Sequence, residues 1–450
     1  MTFMKSAVLG SASAILAIAS ANAADLPSRK SAPVEYVKVC NAYGSGFFFI
    51  PGTETCLRIG GRVRADYLYN SAKTIYGSVA AGLPVVSEAT DGQSTWGTRA
   101  RGQLNVDART RTSFGTVQTA FQLRMDRTTG GYANSAAASS TATSPTLALA
   151  FVRFAGFTAG LARDNFIFMN TNLYHDAHFA AVPNNAKQLA YTATFGGGMS
   201  ATIALQDRID SFRGAGGVGA GAYLMSGSSP AIYEVYNSVP QINGNFRVDQ
   251  AWGSAQLSGA YSTAAVANAT DTVDMSKAAY AVGAGLKINL PMLAKGDSLQ
   301  LTAAYANGMT DYTSFYSYAS DSRNVGGYVT GKTSYVVSAA GIENVKSWNV
   351  AAVFEHFWAP QYRSNLFASY ASLKAPTSAK NAVWNGKDKF GDMKQFDVGA
   401  QFAWLPVSGF EIGAEVVYTR ATQDVALVAN TFSKKSGSGV SARLRVQRDF

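Results

Sequence analysis

Residues 98–109 read Thr-Arg-Ala-Arg-Gly-Gln-Leu-Asn-Val-Asp-Ala-Arg, and polar side chains alternate with small or apolar ones along this stretch. One set consists of Thr98, Ala100, Leu104, Val106 and Ala108. The other set consists of Arg99, Arg101, Gln103, Asn105, Asp107 and Arg109. Successive side chains of a β-strand point to opposite faces. The stretch therefore predicts a strand with one apolar wall and one strongly polar wall.

The same alternation recurs to the end of the chain. It predicts sixteen strands, near residues 57–70, 97–109, 115–126, 147–155, 157–164, 188–195, 199–206, 240–249, 252–261, 280–290, 298–306, 347–358, 361–371, 395–404, 410–420 and 440–450. The segment near 147–164 is the least regular, because Phe151 and Arg153 fall on its polar face. A half-buried sheet of a soluble protein would also alternate. The number of strands and the spacing between them favour a different architecture.

The connections between the predicted strands alternate in length. Tight turns such as Gly196-Gly197-Gly198 are followed by long segments rich in Ser, Thr, Ala, Gly and Asn, such as 71–95 and 207–239. Short turns on one side and long loops on the other are typical of outer-membrane barrels. An even number of strands also allows the first and last to pair, which removes unpaired sheet edges. We therefore predict an all-β fold, a transmembrane antiparallel β-barrel of about sixteen strands with long external loops.

The composition agrees with strands that face lipid on one side and water on the other. Hydrophobic residues make up 47% of the chain and charged residues only 15%, against roughly 25% charged in ordinary globular domains. The 43 glycines, 22 tyrosines and 25 phenylalanines fit the same class. After the first 23 residues no segment offers the ~18 consecutive apolar residues that predict a transmembrane helix.

The first 23 residues predict an export signal. Lys5 supplies a positive start, residues 7–20 are apolar and rich in Ala, and Ala21-Asn22-Ala23 fits a cleavage site. A membrane anchor is the alternative, but the apolar run is shorter than the ~20 residues that a spanning helix needs. We expect the mature protein to begin at Ala24.

Cys40 and Cys56 are the two cysteines of the chain. In an exported protein an even number of cysteines predicts a disulfide, here closing a loop of about 15 residues worth roughly 3 kcal/mol on chain-entropy grounds. A metal site is the alternative, but nearby His residues or further Cys ligands are missing from the sequence around them.

Several stretches of the chain resemble a known family. They are Ala24 to Pro27, Val34 to Cys40, Tyr43 to Phe47, Ile50 to Gly61, Phe154 to Thr158 and Arg448 to Phe450. In these residues the chain resembles the alphaproteobacterial porins of the Omp2 type. The resemblance implies a homotrimeric general porin in the lipid of the bacterial outer membrane, with sixteen strands and a third external loop folded into the lumen. With the export signal, it divides the chain into a signal peptide at 1–23, a periplasmic disulfide-bearing segment at 24–56 and a barrel at 57–450.

A barrel of sixteen strands is too wide for its side chains to fill, so its polar wall is predicted to line a water-filled channel for small hydrophilic solutes and ions. The predicted constriction residues are Arg62, Arg64, Arg99, Arg101, Arg124, Arg443, Arg445, Asp164 and Asp176. The third loop, residues 165–187, is the constriction loop by family analogy. Because this loop has few acids and the chain has a net charge of +10, we predict a mild anion preference. A solvated wall without a tuned role is the alternative for the arginines.

Other functions have weaker support in the sequence. Nucleic-acid binding is disfavoured because the arginines alternate with lipid-type residues in an exported chain. Residues 326–333 fit a phosphate-binding loop, but the flanking strand and helix that such a loop needs are not predicted. His175 and His178 lie in a polar loop, and the pattern pairs nothing with His356, the one His in a predicted strand. We therefore predict no enzyme, no cofactor, no metal site and no nucleic-acid partner, and keep a substrate-specific channel for sugars or carboxylates as the alternative function.

Overall fold

The computed structural model describes residues 38–71, 76–80, 83–87, 96–130, 141–174, 185–207, 222–224, 233–237, 240–268, 274–313, 334–338, 341–377, 391–427 and 431–450. The predicted signal peptide and residues 24–37 of the predicted periplasmic segment lie outside this part of the chain. In the described residues, no helix is both long enough and apolar enough to cross a membrane.

Sixteen antiparallel strands of the described chain form a closed barrel, and each corresponds to one predicted strand. They are β1 (Thr55–Asn70), β2 (Trp96–Thr112), β3 (Gly115–Gly130), β4 (Thr141–Phe154), β5 (Phe157–Arg163), β6 (Asn185–Gly196), β7 (Met199–Asp207), β8 (Gln241–Gln250), β9 (Gly253–Asn268), β10 (Asp274–Asn289), β11 (Ser298–Asn307), β12 (Lys346–Ala359), β13 (Tyr362–Lys374), β14 (Met393–Val407), β15 (Phe410–Leu427) and β16 (Thr431–Asp449). The predicted fold class is confirmed.

The barrel closes between its first and last strands. Residues 62–70 of β1 pair with residues 441–449 of β16, and the backbone N–H of Gly61 donates to the carbonyl oxygen of Phe450 at 2.9 Å. Gly61 is required at this point, since a Cβ there would lie 2.6 Å from the Phe450 ring. Every strand therefore has a neighbour on both sides, as a sheet surrounded by lipid needs.

Several strands are longer than the sequence predicted. We expected β15 to end near residue 420 and β16 to begin near 440, but they reach Leu427 and start at Thr431. β9 and β10 extend in the same way to Asn268 and from Asp274. The prediction was short because these outer segments lack the sharp apolar and polar alternation of the barrel wall. In these outer segments the backbone pairing of β9 with β10 and of β15 with β16 continues, although the side chains no longer alternate.

Shorter elements occupy the connections and the segment before β1. Short strands are Phe48–Phe49, Tyr76–Ala80, Leu83–Ser87, Ala222–Leu224, Tyr233–Asn237, Tyr335–Ser338 and Gly341–Asn344, and 3₁₀ helices are Asn41–Tyr43 and Thr310–Thr313. One barrel end carries the tight turns and the other carries the long connections. We call them the short-turn end and the long-loop end.

The outer face carries two rows of aromatic rings. Near the long-loop end Tyr69 packs on Trp96 and Trp348 on Tyr370, with ring centroids 5.2 and 5.3 Å apart. Trp358 lies near the short-turn end of the same strand as Trp348. Ten residues of a strand tilted by about 40° span roughly 25 Å of height. This is the height of the apolar band that separates the aromatic girdles of an outer-membrane barrel.

A bulge in β4 explains why its alternation is irregular. Leu147 pairs with Leu123 and Leu149 pairs with Gln122, so Ala148 is one extra residue in the strand. The extra residue reverses which side chains point inward. Phe151 and Arg153 therefore both lie on the inner face, opposite Ala120 and Gln118, as the sequence pattern placed them. Before the bulge it is Thr146 that lies opposite the inward-facing Arg124.

Residues 38–54, which we call the N-terminal knob, precede β1 at the short-turn end. The predicted disulfide is confirmed: Cys40 is bonded to Cys56, with Cα atoms 5.9 Å apart. The Cys40 N–H donates to the carbonyl oxygen of Phe47 at 2.9 Å, and Phe49 pairs with Cys56 in β1. The disulfide therefore clips the knob to the start of the barrel.

Replacing both cysteines by serine should free the knob and leave the barrel intact. A loop of this size contributes about 3 kcal/mol, so amide hydrogen exchange in the knob should become on the order of 100-fold faster. Exchange in residues 62–70 of β1, which pair with β16 and not with the knob, serves as the control and should not change. If the backbone amides of residues 40 and 49 exchange at the same rate in the variant as in the wild-type protein, the disulfide does not hold the knob to β1.

Candidate functional site

The inner faces of β16, β1, β2 and β3 carry a ladder of arginine and aspartate side chains. The strand registers place Asp66 between Arg445 and Arg99. Arg445 Nε donates to Asp66 Oδ1 at 2.6 Å, and Arg99 Nη2 donates to Asp66 Oδ2 at 2.5 Å. The Asp66 side chain is fully buried. Removing this carboxylate would leave two guanidinium groups without their shared counter-ion, which typically costs about 3–5 kcal/mol.

Two further arginines make bidentate pairs on the same wall. Arg62 donates to both oxygens of Asp449 at 2.5 and 2.7 Å, across the seam where the barrel closes. Arg101 donates to both oxygens of Asp126 at 2.6 Å. Planar fork-to-fork contacts of this kind fix the guanidinium orientation as well as its charge.

Arg64 and Arg124 contact neutral amides on this wall. Arg64 Nε donates to Gln447 Oε1 at 2.8 Å, and the register places Arg64 directly opposite Arg101. Arg124 donates to Gln122 Oε1 at 3.1 and 2.8 Å. The sequence pattern put all these arginines on one face, but the interleaved acids make the wall a ladder of mixed charge.

The third loop begins at Asp164, which is 1% exposed. Its Oδ1 accepts hydrogen bonds from the Phe166 N–H at 2.9 Å and from Asn243 Nδ2 at 2.6 Å. Its Oδ2 accepts from the Tyr312 hydroxyl at 3.2 Å. Tyr312 belongs to the 3₁₀ helix of a later connection, and its ring centroid lies 4.1 Å from that of Phe166. Asp164, predicted as a constriction residue, thus fixes the root of the loop.

Residues 164–174 then follow the inner wall. Asn245 Nδ2 donates to the carbonyl oxygen of Asn165 at 2.6 Å, Gln300 Nε2 to that of Asn170 at 3.2 Å and Gln401 Nε2 to that of Asn172 at 2.9 Å. These donors lie on β8, β11 and β14. Polar side chains of the wall therefore satisfy the loop backbone, which has no sheet partner of its own.

Glycines of the wall make room for aromatic rings of the loop. A Cβ on Gly285 would lie 2.2 Å from Phe168 Cγ, and one on Gly283 would lie 2.9 Å from the Phe166 ring. Likewise, a Cβ on Gly413 would lie 2.0 Å from the Tyr174 hydroxyl oxygen. Glycine inside a strand often marks a close approach, so Gly283, Gly285 and Gly413 are the sequence signal for the place where this loop packs.

Tyr174 holds the far end of this segment. Its backbone N–H donates to Glu415 Oε2 at 2.8 Å, and its hydroxyl donates to Glu411 Oε1 at 2.5 Å. Burial, and next the Glu411 carboxylate, raise the pKa of the Tyr174 phenol, which keeps it a donor. Arg443 donates to the Tyr174 carbonyl oxygen, and the Arg445 guanidinium lies 4.2 Å from its ring centroid. Arg443 and Arg445 thus lie beneath the loop, 6% and 5% exposed.

Acidic side chains face this end of the loop from β12 and β15. Glu355 Oε2 accepts from Asn172 Nδ2 at 3.0 Å. Arg363 lies between Glu411 and Glu355, at 3.2 and 3.7 Å. Glu355 therefore contacts both the loop and the buried Arg363.

Some predicted features lie outside the described residues. They are Asp176, His175, His178 and the glycine-rich residues 326–333. The described part of the chain holds no cluster of three or more His, Cys, Asp or Glu side chains that suits a metal ion. His356, for which the pattern gave no partner, contacts Asp297 of the turn between β10 and β11, with Nδ1 and Oδ2 2.5 Å apart. The pattern missed this pair because Asp297 belongs to a turn.

Comparison with known proteins gives three relevant matches. A family model described as the porin subfamily matches residues 25–443. Porin Omp2b of Brucella suis biovar 1 (strain 1330) is 32% identical over 261 residues, which are 56% of this chain and 64% of that protein. Porin Omp2a of Brucella ovis is 33% identical over 293 residues, covering 59% of this chain and 80% of that protein. The match to Omp2b thus spans less than two thirds of its length.

The fold also has a counterpart among solved structures. The outer membrane channel DcaP of Acinetobacter baumannii superposes with a TM-score of 0.59 at 16% sequence identity, covering 89% of this chain and 99% of that one. A closed sixteen-stranded barrel with an apolar outer band and a polar inner wall defines an outer-membrane β-barrel protein. Within this class, the chain belongs to the porin subfamily. The predicted family resemblance and outer-membrane location are confirmed.

Filling the space under the third loop should displace it. In a Gly285→Val variant the new side chain overlaps the Phe168 ring, so the loop moves away from the wall toward the channel axis. We expect a lower single-channel conductance in planar bilayers. Gly259→Val is the matched control, because Gly259 has open space around its Cβ position and an exposed outer-face location. Equal conductance of the two variants would contradict the wall-bound position of the loop.

Proposed function

We propose that this protein is a general porin, a passive water-filled channel for small hydrophilic solutes and ions in the outer membrane. The observation that carries the proposal is the closed barrel of sixteen strands with a polar inner wall. A barrel of eight strands is filled by its own side chains, whereas one of sixteen leaves an aqueous channel. Porins are channel proteins, so we assign no enzymatic role.

The path of the described part of the third loop supports an open pore. Its described segment runs along the wall from Asp164, hydrogen-bonded to side chains of β8, β11 and β14, to Tyr174 at β15. A loop held against the wall narrows the lumen without spanning it. The arginine ladder of β1 to β3 keeps contact with solvent, since the Arg62 side chain is 29% exposed.

The same ladder supports the mild anion preference that the sequence predicts. Most arginines of the ladder form an ion pair with an aspartate, and two of them share Asp66. Arg64 instead donates a hydrogen bond to the neutral side chain of Gln447. At 0.1 M salt a charge acts over about 10 Å, so an excess positive charge on the wall influences ions that pass it. The constriction is thus proposed to be lined by Arg62, Arg64, Arg99, Arg101 and Arg124, with the loop held over Arg443 and Arg445.

Removing the Arg64 charge should weaken the anion preference. We expect the reversal potential of an Arg64→Gln channel in a KCl gradient to move toward cation selectivity. Arg448→Gln removes the same charge at the exposed short-turn end of β16 and is the matched control, with a smaller expected shift. Asp126→Asn, which removes the partner of Arg101, should shift the potential in the opposite direction. Equal shifts for Arg64→Gln and Arg448→Gln would argue against a selective section at Arg64.

Solute flux separates a general pore from a substrate-specific channel. Liposomes that contain the protein should swell at rates that fall smoothly with the size of neutral sugars. Saturable uptake, or a preference for one sugar or carboxylate over others of equal size, would favour the specific channel. Cross-linking in mild detergent tests the homotrimer that the family resemblance implies.

A further inference from the structure

The N-terminal knob lies on the lumen side of the barrel wall at the short-turn end. Cys56 is on the same face of β1 as Arg58, Arg62 and Asp66, and the disulfide attaches Cys40 to that face. Phe47 is only 2% exposed and packs with the disulfide. The knob therefore lies at the short-turn mouth of the barrel, next to β1 and β2.

Two arginines of the wall are seated on aromatic rings of the knob. The Arg58 and Arg109 guanidinium carbons lie 4.8 and 5.1 Å from the Phe47 ring centroid. Arg109 also lies 5.5 Å from the centroid of Tyr43. A guanidinium group over a ring face at this distance is attracted by the ring and is fixed in orientation.

The two arginines share one carboxylate. Arg109 Nη2 lies 2.7 Å and Arg58 Nη2 lies 3.5 Å from Asp107 Oδ2. Two positive charges and one negative charge leave an excess of one positive charge in this group. The Arg58 side chain is 49% exposed, so the excess charge faces water. Lys38 adds a third cation over the knob, 5.3 Å from the Phe49 ring centroid.

This group is separate from the ladder at mid-height. Arg58 and Arg62 are four residues apart on β1, which corresponds to about 13 Å along a strand. That distance exceeds the screening length of about 10 Å at 0.1 M salt. An ion at one group therefore experiences little of the field of the other.

We propose that the knob, Arg58 and Arg109 form a second anion-contacting filter at the periplasmic mouth of the channel. The rings hold the two guanidinium groups toward the solute path, and the disulfide holds the rings. The filter would act on small anions, including carboxylates and phosphates. The proposal rests on the proposed channel function and assigns to the knob a part in selectivity.

Two variants test the filter by different routes. Arg109→Gln removes one charge, and Phe47→Ala removes the ring but keeps both arginines. We expect both to shift the reversal potential in a KCl gradient toward cation selectivity, Phe47→Ala because the two guanidinium groups lose the ring that orients them. The shift for Arg109→Gln should be largest near 0.1 M salt and shrink near 1 M, where the screening length falls to about 3 Å. Phe48→Ala is the matched control, because Phe48 pairs with Leu57 on the opposite face of the strand.

The outcomes separate the filter from the channel itself. A wild-type protein that forms no channel would defeat the proposed function. The filter alone would be overturned if the wild-type protein forms a channel and neither Arg109→Gln nor Phe47→Ala changes its selectivity. Phe48→Ala, the control, should leave the selectivity unchanged in either case. If Phe47→Ala does not assemble, the double variant Cys40→Ser, Cys56→Ser provides the same measurement, since it releases the knob from β1. Wild-type selectivity in that variant would equally overturn the proposal.

Discussion

The pairing of β16 with β1 is the constraint on which the rest of this structure depends. In hydrocarbon no water is present to bond a free backbone N–H or C=O group, so a sheet can cross a membrane only when it has no edge. Residues 62–70 and 441–449 supply that last ladder. The same seam brings Arg62 to Asp449, which are 387 positions apart in the chain. Closure therefore sets both the membrane fit of the outer wall and the charge pattern of the inner wall.

The two-residue period of the sequence predicts which side chains face the lumen. The alignment of neighbouring strands decides which of these side chains contact one another. Alternation over 98–109 was enough to assign Arg99 and Arg101 to the inner face, because a strand has a fixed period of two. It could not show that Asp66 lies between Arg99 and Arg445, since that depends on how three strands align. A single extra residue, Ala148, also reversed the faces of β4 without any signal in composition.

The third loop was the part of the site least accessible from the sequence. Its length and position follow from the strand count, but its path depends on contacts with residues far along the chain. Asn245 and Gln401 reach its carbonyl oxygens, and Gly285 leaves space for Phe168. Amides and glycines are common in strands for other reasons, so they point to a loop only when both partners are known. The contacts of Glu411 and Glu415 with Tyr174 also depend on the fold, because these residues lie more than 230 positions from Tyr174 in the chain.

The charge pattern shows why net charge alone is a weak guide to selectivity. The chain has a net charge of +10, but Asp66, Asp126 and Asp449 each neutralise an arginine of the lumen in direct contact. At 0.1 M salt, screening limits the reach of the electric field of any remaining charge to about 10 Å. Selectivity therefore depends on where an arginine has a neutral partner or shares one acid with a second arginine. In the described wall the first case includes Arg64 and Arg124, and the second includes Arg58, which lies against the Phe47 ring of the knob.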